Sequence, residues 1–294
     1  MGMKGAVLCV AAALYAAAVQ PASAQETASP SRGAALYGAG GCANCHTDVR
    51  GKGPEAAGGR ALKTPFGTFF SPNITPDPQH GIGGWSDADF IRAMREGTAP
   101  DGSHYFPVFP FTSFTLMTDD DLKALKAHLF TLKPVARENR AHDVPFPFSM
   151  RWLQFGWKLL FFDEGPFRAD PKQSAEWNQG AYLATAVVHC GECHTPRNVF
   201  GAIDRDRWFA GSTDGAEGEP VPNITPLPDG GLGKWTDEQL VSYLATGETP
   251  DGDFAGSLMA EVIEKGTALL SDADRQAIVV YLRSLKPIRG PRRD

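Results

Sequence analysis

Two five-residue runs constrain this chain more than any other feature: Cys42-Ala43-Asn44-Cys45-His46 and Cys190-Gly191-Glu192-Cys193-His194. On one helical turn, residues i and i+3 share a face and i+4 lies just beyond them. Each run therefore offers two thiols and an imidazole to a single planar partner. C-x-x-C-H is the spacing at which a c-type haem is attached, the cysteines forming thioethers to one porphyrin edge while the histidine reaches the iron. Two copies predict two covalently bound haem c groups, held by Cys42, Cys45 and His46 and by Cys190, Cys193 and His194. Structural zinc closes over short loops, whereas these pairs stand 148 residues apart. Disulfide staples would leave the histidine after each pair unexplained.

Residues 1–24 have the layout of a secretory signal, with Lys4 as the positive n-region, Val7 to Val19 as the apolar stretch and Ala22-Ser23-Ala24 as the small-residue cleavage site. The mature chain is expected to start at Gln25 in an exported, oxidising compartment, the periplasm. Cys9 leaves with the signal, so every remaining cysteine belongs to one of the two motifs. No later apolar run reaches the roughly 20 residues that span a bilayer. The net charge of −6 becomes −7 without Lys4, an acidic balance that favours basic protein partners and argues against nucleic acid.

The second half repeats the first. Ser71-Pro72-Asn73-Ile74-Thr75-Pro76 is matched 150 residues later by Val221-Pro222-Asn223-Ile224-Thr225-Pro226, and Trp85-Ser86-Asp87 by Trp235-Thr236-Asp237. Thr118 to Asp121 corresponds to Ser271 to Asp274 at an offset of 153, which points to a tandem duplication. Four helix starts are legible as a hydroxyl N-cap with an acid or amide three residues on: Ser86/Asp89, Thr118/Asp121, Thr236/Gln239 and Ser271/Asp274. Gly33 to Cys45 and Gln179 to Cys193 read as further helices ending in the motifs, and the Gly/Pro-rich stretches between read as loops rather than strands. The expected fold is all-α, two tandem class I cytochrome c domains at 25–133 and 176–294. An aromatic-rich linker, 134–175, is expected to pack across both.

The runs SPNITPDPQHGIGGWSDADFIRAMREG (71–97), FPVFPFTSFTLMTDDDLKALKAHLFTLKPV (106–135) and NQGAYLATAVVHCGECHTPRNVFG (178–201) resemble the cytochrome c subunits of membrane-associated alcohol, gluconate and sorbitol dehydrogenases and their diheme relatives. Those subunits commonly carry three haem motifs. With two motifs and the polar end Arg289 to Asp294, this chain is expected to be a small soluble diheme carrier.

Each iron needs a second axial ligand, and methionine is the usual choice at high potential. Met259 stands between the second motif and the last helix, in the loop region where a class I cytochrome supplies its distal sulfur. Met117, just before the helix at Asp119, is its counterpart in the first half, although the resemblance often places methionine nearer Phe109. His104 is the alternative there and would give a bis-histidine haem. Met94 falls on an apolar helical stripe and Met150 in the linker. His80, His128, His142 and His189 are expected in surface or packing roles, and Trp85 and Trp235 either at a haem edge or in the core.

An iron held by histidine and methionine has no open position for a substrate, so the expected function is single-electron transfer. The donor is expected to be a periplasmic dehydrogenase and the acceptor a small cytochrome or terminal oxidase. The competing class is a diheme enzyme. A peroxidase needs one open iron beside acid/base residues, and its other motifs are not found; a thiosulfate dehydrogenase needs a spare cysteine.

Overall fold

The computed structural model describes residues 1–2, 30–215 and 218–291. The signal, its cleavage site, Gln25 and Cys9 lie outside them, apart from Met1 and Gly2. In the first half, α1 (Pro30–Ala39), α2 (Cys42–His46), α3 (Asp87–Glu96), α4 (Phe111–Phe114) and α5 (Asp119–Leu129) follow one another, with strands β1 (Ala61–Thr64) and β2 (Gly67–Phe70) after α2. The linker contributes α6 (Leu153–Phe161). The second half holds α7 (Ala175–Tyr182), α8 (Gly191–His194), α9 (Asp237–Thr246), α10 (Ser257–Lys265) and α11 (Asp272–Ser284). Among the described residues no helix is long and apolar enough to cross a membrane.

The four expected N-caps are all made. Ser86 and Thr236 form reciprocal capping boxes with Asp89 and Gln239, while Thr118 and Ser271 accept from the backbone N–H of Asp121 and Asp274. Each cap satisfies donors that the first helical turn leaves unpaired. Gly97 and Gly247 end α3 and α9 at φ 62 and 79, the left-handed geometry that glycine adopts without a Cβ clash.

Three expectations need correction. The haem-motif helices are broken: Gly41 at φ 61 separates α1 from α2, and the π turn Leu183–Val187 followed by His189 at φ 45 separates α7 from α8. Residues 61–70, read as loop, form an antiparallel hairpin with Ala61 opposite Phe70 and Thr64 opposite Gly67. Its strands are too short to show alternation; the turn at Pro65-Phe66 is closed by Thr64 Oγ1, which accepts from Phe66 N–H and donates to Gly67 O. The linker aromatics only partly pack across the halves. Trp157 meets Phe111 edge-on and donates to Phe200 O, and Phe161 stacks on Phe200. Lys158 reaches Glu96 O and Gly97 O at the C-terminal end of α3, a cation where the helix dipole is negative. The outer side of α6, with Trp152, Phe155, Leu159 and Leu160, is exposed.

In each half the first helix crosses the last, α1 on α5 and α7 on α11. One apolar cluster runs through both halves, joining Leu36, Met94, Phe114, Met117 and Leu125 to Ala184, Val187, Phe209, Ile278 and Leu282.

Candidate haem-binding sites

The breaks in the motif helices position the thiols. Gly41 turns the chain out of the α1 axis, so that Cys42 and Cys45 sit one turn apart on the five-residue α2. In the second half Cys190 immediately precedes α8 and Cys193 lies within it. Cys42, Cys45, Cys190 and Cys193 are all thiols, none of them in a disulfide. Burial pushes the Cys42 and Cys190 thiols up to about 12 and Cys193 to about 11, so they are neutral thiols in apolar surroundings rather than a thiolate cage. Among the described residues no three His, Cys, Asp or Glu side chains converge on a point that could hold a bare metal ion.

The motif histidines are oriented identically. His46 Nδ1–H donates to Pro72 O at 2.7 Å and His194 Nδ1–H to Pro222 O at 2.8 Å. A carbonyl can only accept, so this bond fixes the tautomer and leaves Nε2 as the lone-pair nitrogen, the arrangement found behind metal-ligating histidines. Burial lowers both imidazole pKa values, only partly countered by the carbonyl. Two reduced thiols beside a neutral imidazole with a free Nε2 are the donor set of a covalently attached haem, and both halves present it.

The repeated Pro-Asn-Ile-Thr-Pro run is the strut that holds these histidines. Asn73 Oδ1 accepts from Thr75 N–H and Oγ1–H at 2.9 and 2.7 Å, and its Nδ2 donates to Val135 O at 2.7 Å. Asn223 binds Thr225 in the same way at 2.8 and 2.7 Å and donates to Ile288 O. The chain leaving α5 or α11 is thereby tied to the proline whose carbonyl orients the histidine. The signal for this role was in the sequence, since Pro72 and Pro222 recur at the offset of the motifs to within two residues.

Burial also lowers the pKa of His142 and His189. These two, together with His104, whose pKa burial and then the Lys158 charge lower, thus stay neutral in the native state where the unfolded chain, titrating near 6.5, takes up protons. The unfolded state binds more protons as pH falls below about 6.5, so stability is expected to fall in that direction. Denaturant melts near pH 7 and pH 5.5 check this, and equal midpoints would contradict it.

The motifs also touch across the halves. Glu192, the third residue of its motif, accepts from Thr112 Oγ1–H at 2.8 Å and Ser113 Oγ–H at 2.7 Å on α4, and pairs with Arg197 at 2.5 Å. Burial favours the protonated acid, but the Arg197 charge and the two hydroxyl donors outweigh it and hold the carboxyl below its usual range. Asn44, the third residue of the other motif, donates through Nδ2 to Glu261 O on α10 at 3.3 Å. Arg60 Nη1 bonds both Asn44 O at 2.5 Å and Glu261 Oε2 at 2.8 Å.

Of the distal candidates, Met117 is 1% exposed and belongs to the apolar cluster against which Cys42 and Cys190 both pack. Met259 stands on α10 rather than in a loop, and is partly buried. The His104 ring is partly buried, with its Nδ1 3.0 Å from Lys158 Nζ and the ring against Phe155. Met94 is core, 6% exposed. His128 packs on Tyr37, His142 Nδ1 accepts from Phe70 N–H, and His189 packs on Phe114 with Nε2 3.3 Å from Gly40 O. His80 is partly buried in its loop, its backbone oxygen bonded by Asn139. Trp85 packs against the core and Trp235 meets Tyr243 edge-on.

The Cytochrome c family model matches residues 30–133. A diheme cytochrome c-type protein of Cereibacter sphaeroides is 44% identical over 266 residues, 89% of this chain and 88% of that protein. The fructose dehydrogenase cytochrome subunit of Gluconobacter japonicus is 43% identical over 90% of this chain and 54% of its own length. The gluconate 2-dehydrogenase cytochrome c subunit of Pantoea cypripedii is 37% identical over 86% and 59%. The chain therefore spans just over half the length of those two dehydrogenase subunits.

Proposed function

We propose that this chain, which belongs to the cytochrome c family of diheme cytochromes and dehydrogenase cytochrome subunits, is a periplasmic carrier with two haem c groups on duplicated class I domains. The observation that carries the reading is the matched pair of histidines, each with Nδ1 tied to a proline carbonyl and Nε2 free beside two reduced thiols. Cys42 and Cys45 would hold one haem, with His46 as an iron ligand, and Cys190 and Cys193 the other, with His194 as an iron ligand. When bound, each haem supplies a one-electron redox centre.

Met117 and Met259 are the distal ligands in this reading. The burial of Met117 at the start of α5 supports it, while the engagement of His104 by Lys158 and Phe155 favours Met117 over that histidine. With a histidine and a methionine reserved for each haem, neither site would leave an opening for a substrate, and the chain's part would be to hold the redox centres in place and exclude water. The donor is a dehydrogenase, as the names of the relatives suggest, met in the periplasm to which the signal sequence would direct this chain, and the acceptor is a small cytochrome or terminal oxidase.

Intact-mass measurement of the exported protein is expected to give the polypeptide from Gln25 plus two haems. Bound zinc or an unmodified chain would overturn the reading. Met117→Ala and Met259→Ala are each expected to abolish one methionine-to-iron charge-transfer absorption and lower one potential, while His104→Ala leaves both absorptions intact. Loss of a haem ligand on changing His104 alone would replace Met117 by His104.

A further inference from the structure

We propose that each haem-attachment turn holds in place the segment that bears the other half's distal methionine, with Glu192 and Asn44 as the positioning residues. The inference rests on the assignment of Met117 and Met259 as distal ligands made above. The contacts are reciprocal. Glu192, from the second motif, grips α4 in the first half, and Asn44, from the first motif, grips α10 in the second. The two anchors occupy the same position, third in C-x-x-C-H, so the arrangement is the same joint made twice.

Both gripped segments lead directly to a distal candidate. Ser113 precedes Met117 by four residues, and the backbone between is a continuous hydrogen-bonded turn: Leu116 N–H donates to Ser113 O and Met117 N–H to Phe114 O, both at 3.0 Å. A shift of Ser113 is therefore passed on to Met117. Glu261 lies two residues beyond Met259 on α10, and Arg60 clamps its carboxylate to the backbone of Asn44.

The Glu192 joint is the stronger of the two. Its side chain is 8% exposed, and it takes two hydroxyl bonds and an arginine. Bonds to an ionised acceptor from which water is largely excluded are roughly twice as strong as neutral ones. Arg197 fixes the carboxylate from behind by bonding Glu192 Oε2, Glu192 O and Gly201 O. The coupling therefore runs from the turn that carries the second haem to the sulfur that closes the first.

The test uses the oxidised holoprotein with free imidazole as the probe, since imidazole competes with a loosely held methionine for iron. Met117→Ala first identifies the charge-transfer absorption of the first haem; if that variant keeps both absorptions, the ligand assignment fails rather than the coupling. With the absorption identified, Glu192→Ala is expected to raise imidazole affinity at the first haem about tenfold. The double substitution Thr112→Val and Ser113→Ala removes the same two bonds from the other side. It is expected to do the same, and adding Glu192→Ala to it changes nothing more. Unchanged affinity at the first haem, or effects that simply add, would overturn the proposal. Should Glu192→Ala fail to accumulate with both haems, the Thr112/Ser113 variant decides alone.

Discussion

Gly180→Ala is expected to destabilise the protein by about 1–2 kcal/mol net, against the sign that helix propensity alone predicts. A Cβ at Gly180 falls 1.8 Å from Ala277 O and 2.4 Å from Ala277 C, where α7 crosses α11. These are backbone atoms inside a helix, so no side chain can swing aside and the two helices must separate. Overpacking of this kind costs about 1–3 kcal/mol and sometimes more, while the alanine recovers about 1 kcal/mol of propensity. Gly33→Ala is expected to behave alike, since its Cβ would meet Ala124 O at 1.9 Å where α1 crosses α5. Chemical denaturation of the holoprotein at matched haem content measures both. A rise in stability on either substitution would mean that the helices do not approach as closely as the crossing requires.

Asn73→Ala is expected to cost about 3–5 kcal/mol, because each buried polar group left without a partner costs about 1–3 kcal/mol. The substitution strands Thr75 N–H and Oγ1–H, and it also removes the amide's bonds to Val135 O and Arg137 O at 2.7 and 3.2 Å, of which Val135 O keeps a bond from Arg137 N–H. Asn73 and Thr75 are 2% and 0% exposed, so water cannot readily replace what is lost. Asn223→Ala is expected to fall at the lower end of that range, since Asn223 bonds one following carbonyl, Ile288 O, rather than two. Both substitutions lie next to the proline carbonyl that orients a motif histidine. Each is therefore expected to disturb the absorption spectrum of its own haem before global unfolding. A loss below about 1 kcal/mol for Asn73→Ala would show that the strut bears little load.

Much of the local framework could be read before any packing was known. A hydroxyl with an acid or amide three residues on identified four helix starts, because capping satisfies donors within one turn and depends on nothing distant. The spacing of Cys42, Cys45 and His46 likewise needs only a helical turn to converge. What local reading missed has equally definite causes. Gly41 and His189 leave right-handed helix at φ 61 and 45, so the motif helices break where a continuous apolar stripe would carry them on. The Ala61 to Phe70 hairpin uses strands of four residues, too short for alternation to register.

Function is spread over both scales. The sequence by itself determined the chemistry on offer: four thiols and two imidazoles at haem-attachment spacing, in two halves bearing the same caps and the same Pro-Asn-Ile-Thr-Pro strut. These depend on short separations, where helical geometry alone sets which side chains meet. Only the tertiary structure decided which nitrogen of His46 and His194 is free, because the acceptors, Pro72 O and Pro222 O, lie 26 and 28 residues away. It alone also joined Glu192 to Ser113 across 79 residues and Asn44 to Glu261 across 217. Contacts at such separations exist only once the apolar faces of α1, α5, α7 and α11 have packed into one core and set which polar groups face each other across it.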